Sequence, residues 1–106
     1  MTQAKVNQLR LLQQNLQSVS TQKQQIQNQA IEIDSALETL EGAQSSFRIV
    51  GKIMIAAAPQ KLKQELQERK NAVDVRLKAF TKQEEKLKES IEGMQKEVLE
   101  ELQQKK

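Results

Sequence analysis

Residues 47–58 read FRIVGKIMIAAA. Seven of the nine residues in 47–55 are Phe, Ile, Val, Met or Gly, and the apolar ones do not follow helical spacing. Gly51 and Lys52 interrupt the run at its centre, and glycine at the first central position is typical of a type II′ turn between antiparallel strands. The stretch therefore predicts a β-hairpin in which Val50 lies opposite Ile53.

Both faces of this hairpin are apolar, because alternation along a strand places Phe47 and Ile49 on one face and Val50 and Ile53 on the other. A lone hairpin is marginally stable in water, and its free edges invite further strands. We therefore predict that hairpins from several chains close into an intersubunit β-barrel. The alternative, a short apolar loop packed on neighbouring helices, stays open at this point. The predicted oligomer interface consists of Phe47, Ile49, Val50, Ile53, Met54 and Ile55.

The segments on either side of the hairpin carry apolar side chains in steps of three and four. Such heptads, sustained over four repeats, predict a coiled coil. We predict a mostly α fold: a long antiparallel two-helix coiled coil joined by the hairpin, in a single domain covering 1–106. The predicted elements are a helix over 2–41, the hairpin over 47–56 and a helix over 59–103. Gly42 favours a helix end, and Pro59 suits a first helical turn.

The two heptad patterns also predict how the helices pair. In an antiparallel pair, the numbers of facing residues share a constant sum, and a sum of 103 aligns both apolar seams, with Leu37 opposite Leu66. The midpoint of that register falls between Gly51 and Lys52, the centre of the predicted turn. Lys23 and Glu84 then lie one layer apart, and we predict that they form an ion pair that fixes the register.

The amino-acid composition argues against several classes of function. The 106 residues include no histidine, cysteine, tyrosine or tryptophan, so we predict neither an enzyme nor a metal or cofactor site. The 17 basic and 14 acidic residues are interspersed, which is typical of a solvated helix face rather than of a nucleic-acid-binding stripe. With no apolar run near the ~20 residues of a membrane span and no signal-peptide pattern, the sequence predicts a cytoplasmic protein that binds neither nucleic acid nor membrane.

The order of helix, hairpin and helix, the hairpin sequence FRIVGKIMI and the phrases ELQERK, VRL and KQEEKL in the second helix resemble the β-class subunit of prefoldin, especially the archaeal type. A single hairpin favours the β class over the α class. Residues 56–59, AAAP, depart from the family, whose members usually carry charged residues there.

The resemblance implies a hetero-hexamer of two α-class and four β subunits. In it, hairpins form two barrels and coiled coils project from them. It also implies that the particle captures unfolded polypeptides without ATP and passes them to a group II chaperonin. A rival interpretation is a structural or adaptor coiled-coil protein that oligomerises through its hairpin.

The end of the coiled coil furthest from the hairpin is the predicted client-binding tip. Nothing covers its last layers, so we expect the helices to fray there and to offer small, adaptable apolar patches. Several tips acting on one unfolded chain would gain avidity. The alternative is that these residues simply close the coiled coil. The predicted tip residues are Val6, Leu9, Leu12, Met94, Val98, Leu99 and Leu102.

Overall fold

The computed structural model describes residues 2–104 as two long helices with a two-stranded antiparallel hairpin between them. Helix α1 covers Thr2–Leu40, strand β1 Ser46–Val50, strand β2 Ile53–Ala57 and helix α2 Pro59–Gln104. The bounds predicted for the same elements are 2–41, 47–56 and 59–103. The prediction of a mostly α fold with one hairpin is confirmed.

Glycine and proline set the inner ends of both helices. Helix α1 ends at Leu40, and Gly42 follows with a φ of 75°, the left-handed conformation in which glycine has no steric penalty. Pro59 opens α2, where its missing N–H costs nothing. The carbonyl oxygen of Ala58 accepts the N–H of Leu62 at 3.1 Å and so begins the hydrogen-bond ladder of α2.

The hairpin has the predicted turn and register. Gly51 has a φ of 62°, whereas Lys52 does not have a positive φ, which matches a type II′ rather than a type I′ turn. The hydroxyl of Ser46 donates a hydrogen bond to the carbonyl oxygen of Ala57 at 2.6 Å and joins the open ends of the strands. The Cα partners are Ser46–Ala57, Phe47–Ala56, Arg48–Ile55, Ile49–Met54 and Val50–Ile53.

The chain divides into two compact units. The hairpin unit is Ile26–Leu77, and the other unit, called here the distal unit, contains the described residues up to Gln25 together with those from Lys78 onward. In the hairpin unit, Ile26, Ile33 and Val73 are buried, all at positions of the predicted apolar seam. Lys70 donates a hydrogen bond to Asp34 at 2.8 Å, which joins α1 to α2 beside these residues and raises the pKa of Lys70.

The distal unit holds the predicted ion pair. Lys23 Nζ donates to Glu84 Oε1 at 2.8 Å, and Ser20 Oγ donates to Glu84 Oε2 at 2.8 Å. The hydrogen bond from Lys23, followed in size by the one from Ser20, holds the pKa of Glu84 below its ordinary value of 4.5. The predicted Lys23–Glu84 pair is therefore confirmed, with Ser20 as a further partner. Ile91 is the buried apolar residue of this unit among those described.

We predict that Glu84→Gln lowers the free energy of unfolding by about 1–2 kcal/mol at neutral pH, because it leaves the half-buried Lys23 ammonium without its counter-charge. The folded-state pKa of Glu84 is lowered, so its stabilisation is present above pH 4.5 and is lost as the pH falls through the folded-state pKa. Urea unfolding of both proteins at neutral and acidic pH measures this. The exposed Glu85→Gln is the matched control, and an equal gap between wild type and Glu84→Gln at both pH values would contradict the prediction.

We further predict that Lys23→Leu combined with Glu84→Leu produces a mixture of helix registers, because an apolar layer no longer distinguishes one alignment from the next. Double electron-electron resonance between spin labels at residues 13 and 95 would then give several distances. A single sharp distance would show that the ion pair does not specify the register.

Candidate functional site

The six predicted interface residues of the hairpin are all exposed in the single chain. Their exposed fractions run from 49 to 69%. The hairpin therefore presents an apolar surface to solvent, and we call these six side chains the hairpin surface. It consists of Phe47, Ile49, Val50, Ile53, Met54 and Ile55.

The hairpin also has two open edges. The sheet formed by the described residues contains only β1 and β2, so each strand has a neighbour on one side. Val50 and Ile53 flank a two-residue turn and form a hydrogen-bonded pair, and such pairs alternate along an antiparallel ladder. The backbone N–H and C=O groups of Phe47 and Ile49 consequently face outward from β1, and those of Met54 face outward from β2. Apolar side chains thus lie beside unpaired backbone groups, which is the chemistry of strand addition.

An ion pair between Arg48 of β1 and Glu65 of α2 ties the hairpin to the second helix. The apolar residues of β1 do not pack closely on the helices, because an open groove of about 650 Å³ separates them from Leu40, Leu62 and Leu66. The alternative of an apolar loop packed on the helices is therefore wrong. The paired strands hold the hairpin backbone in place, and its side chains stay in solvent.

The seven predicted tip residues all belong to the distal unit. Two of them, Leu99 and Leu102, are 59% and 50% exposed. The other five are half-buried. These are Val6, Leu9, Leu12, Met94 and Val98.

The first turns of α1 and the last turns of α2 are joined by a polar clasp. Thr2 Oγ1 donates to Glu101 Oε2 at 2.9 Å, and Lys5 Nζ donates to Glu101 Oε1 at 2.5 Å. Lys5 Nζ also lies 3.7 Å from a carboxylate oxygen of Glu97. Helix α2 stays regular to Gln104. The expectation that nothing covers the last layers is therefore wrong, whereas fraying of the helices at this end stays a prediction.

The heptad pattern contained a signal for the clasp. Continued toward the chain ends, it places Thr2, Lys5 and Glu101 at core positions, where apolar residues are usual. Polar groups at such positions need one another as partners. The hydrogen bond to Glu101 raises the pKa of Lys5. The hydrogen bond from Lys5, followed in size by the one from Thr2, lowers the pKa of Glu101.

Sequence reasoning missed three exposed apolar residues and one groove. Leu11 lies at an outer heptad position and is 59% exposed. It borders a groove of about 550 Å³ in the distal unit, beside Gly93. Ile31 and Val75 are exposed on the outer faces of the helices in the hairpin unit. Each breaks the heptad pattern by placing an apolar residue outside the seam, and that is the signal by which they could have been found.

The described helices include none that is long and apolar enough to cross a membrane. Within residues 2–104, no group of three or more His, Cys, Asp or Glu side chains is placed to hold a metal ion.

Comparison with known proteins agrees with this geometry. A family model described as prefoldin subunit matches residues 3–105. The prefoldin subunit beta of Pyrococcus furiosus is 36% identical over 95 residues, which cover 87% of this chain and 81% of that protein. The prefoldin subunit beta of Archaeoglobus fulgidus is 36% identical over 87 residues, covering 79% and 75%.

Among solved structures, the prefoldin beta subunit from Thermococcus strain KS-1 matches with a TM-score of 0.89 and 32% identity, covering 95% of this chain and 91% of that one. The chain therefore belongs to the prefoldin subunit family. Within the family it is similar to archaeal β subunits, as its single hairpin predicts.

We predict that acid opens the clasp. The pKa of Glu101 is lowered in the folded state, so its contribution is present above the ordinary value of 4.5 and is lost as the pH falls through the folded-state pKa. The pKa of Lys5 is raised, so its contribution is lost only as the pH rises above 10.5. Backbone ¹³C chemical shifts of residues 2–9 should therefore lose helical character in acid.

Glu101→Gln should show weakened helical shifts at neutral pH and little further change in acid, because the titrating carboxylate is gone. Glu100→Gln, which changes the preceding exposed residue, serves as the matched control. An acid transition of unchanged size in Glu101→Gln would show that another group opens this end.

Proposed function

We propose that this chain is a β-class subunit of an ATP-independent chaperone. It binds unfolded polypeptides at its tip residues and passes them to a group II chaperonin. Family membership supports the chaperone role. The observation that carries the proposal is the presence of two separate exposed apolar surfaces on one chain, one on the hairpin and one in the distal unit. The first is suited to assembly and the second to capture.

Assembly through the hairpin follows from its energetics. Completing the burial of the hairpin surface would contribute roughly 5–11 kcal/mol for the six side chains, since 49 to 69% of each is still exposed. Association itself costs about 4–15 kcal/mol, so a single contact between two hairpins is marginal. A closed barrel uses both edges of every hairpin and doubles the contacts of each chain. The resemblance to prefoldin supplies the proposed stoichiometry of two α-class and four β subunits.

Client capture is assigned to the distal unit because Leu99 and Leu102 are exposed there without any strand edge beside them. An apolar patch of two leucines binds weakly. Several tips of one hexamer then hold a single unfolded chain through multivalency. The half-buried Met94 adds an adaptable side chain to the same unit. We also propose that residues 1–106 act as one domain, in the cytoplasm and without a cofactor.

We predict that Ile53→Asp prevents assembly, because it would bury an unpaired carboxylate in the barrel at a cost of several kcal/mol. Native mass spectrometry of the chain mixed with an α-class partner should show a hexamer for wild type and mainly single chains for the variant. Lys52→Asp, which places the same carboxylate on the adjacent exposed turn residue, should still assemble. An intact hexamer containing Ile53→Asp would remove the hairpin from the assembly interface.

We predict that Leu99→Ser combined with Leu102→Ser raises the chaperone concentration needed to suppress aggregation of a denatured client on the order of tenfold, because two exposed leucines are lost from every β tip. The assay is light scattering of denatured citrate synthase diluted into buffer that contains the hexamer.

The matched control is Ile31→Ser combined with Val75→Ser. It removes two apolar side chains that are at least as exposed, in the hairpin unit, and should leave suppression unchanged. Equal losses in both double variants would point to general surface apolarity rather than to the tip. A wild-type assembly that never suppresses aggregation would instead fit a structural or adaptor protein.

A further inference from the structure

The groove beside Gly93 has an apolar floor in the distal unit. Leu11, Leu12 and Met94 line it, and its volume is about 550 Å³. Leu11 lies outside the heptad seam and is 59% exposed, so pairing of the helices does not cover it. The groove therefore offers apolar surface that the coiled coil itself does not use.

Gly93 keeps this groove open. A Cβ atom added at Gly93 would meet nothing within 4 Å, so close packing does not require glycine there. Its φ is not positive, so the backbone conformation does not require glycine either. Glycine inside a helix is less favourable than alanine by about 1 kcal/mol. Glycine at this position therefore leaves open space above the helix surface, which a larger side chain would fill.

The rim of the groove is polar and almost entirely neutral. Gln8, Asn15 and Ser90 supply both hydrogen-bond donors and acceptors, which suit the backbone amides of an extended polypeptide of any sequence. Among the described residues that line the groove, Glu97 alone carries a charge. An acidic group at the edge of an apolar groove complements a ligand that combines apolar side chains with a cation.

The charge of Glu97 is only loosely compensated. Lys5 Nζ lies 3.7 Å from Glu97 but 2.5 Å from Glu101, so its close hydrogen bond goes to Glu101. The side chain of Glu97 is 56% exposed. A lysine or arginine of a ligand in the groove could approach this carboxylate without breaking the clasp between Lys5 and Glu101.

We propose that this groove binds extended apolar segments of unfolded polypeptides that carry a lysine or arginine, with the cation paired to Glu97. The inference rests on the client-binding role proposed above and specifies which segments the distal unit selects. Charge complementarity favours this occupant over a purely apolar segment, and an acidic segment is the least suitable. The pairing is solvent-exposed, so it adds selectivity of about three- to fivefold to an affinity that the apolar floor supplies.

The test uses the full chain and a fluorescein-labelled peptide, SGLLVKLLVSG, with two versions in which glutamine or glutamate replaces the lysine. Fluorescence anisotropy gives the dissociation constants at low and high salt. Wild type should bind the lysine peptide about three- to fivefold more tightly than the glutamine peptide, and the glutamate peptide least. High salt should remove this preference, since exposed charge pairs are screened.

Variants assign the preference to the groove. Glu97→Gln should bind the lysine and glutamine peptides equally, whereas Glu97→Asp, which keeps the charge, should retain the preference. Glu92→Gln removes an exposed carboxylate of α2 that does not line the groove and should behave as wild type. Gly93→Leu should fill the groove and weaken the binding of all three peptides. Because leucine is the better helix former, circular dichroism should show that this loss does not come from unfolding.

Two outcomes overturn the inference: equal binding of the lysine and glutamine peptides to wild type, or a preference that survives in Glu97→Gln. If the hexamer still suppresses aggregation of denatured citrate synthase in either case, the proposed function stands and only the assignment to Glu97 fails. If wild type neither binds a peptide nor suppresses aggregation, the proposed function and the inference fail together.

Discussion

The two-residue turn at Gly51 and Lys52 is the constraint on which the rest of the structure depends. Because Gly51 adopts a positive φ, the chain reverses within two residues and β2 returns antiparallel to β1. The reversal leaves residues at similar sequence distances from the turn opposite one another. Asp34 meets Lys70 in the hairpin unit, and Lys23 meets Glu84 in the distal unit. The pairs found in each unit are thus among those that a reversal at the turn brings together.

In the hairpin unit the strand backbone is ordered although its apolar side chains are not buried. Its strands are paired and tied to α2 through Arg48 and Glu65, yet the apolar side chains around them remain in solvent. In a chain with only 37% apolar residues, such a surface is costly to leave uncovered. Contacts with further chains would cover this surface, which is the role proposed for it.

The distal unit shows how a coiled coil can remain closed while keeping apolar surface available. Lys5 and Glu101 occupy positions where leucine would hold the helices together more strongly but would also add to the exposed apolar surface. Leu99 and Leu102 are exposed, and Gly93 leaves open space beside the groove that Leu11 borders. The client capture proposed for this unit therefore does not depend on separation of the helices.

The sequence by itself determined the helices, the hairpin, its turn and the Lys23–Glu84 pair, because heptad spacing, glycine conformation and residue distance from the turn are local or counting properties of the chain. Only the tertiary structure decided that an open groove lies between β1 and the helices, that Thr2 and Lys5 meet Glu101, and that a second groove is lined by Leu11 and Gly93. These features depend on which side chains converge from segments some eighty to one hundred residues apart, or on space that nothing fills. Heptad spacing predicts which positions face a partner helix, but it does not predict the shape of the surface that remains.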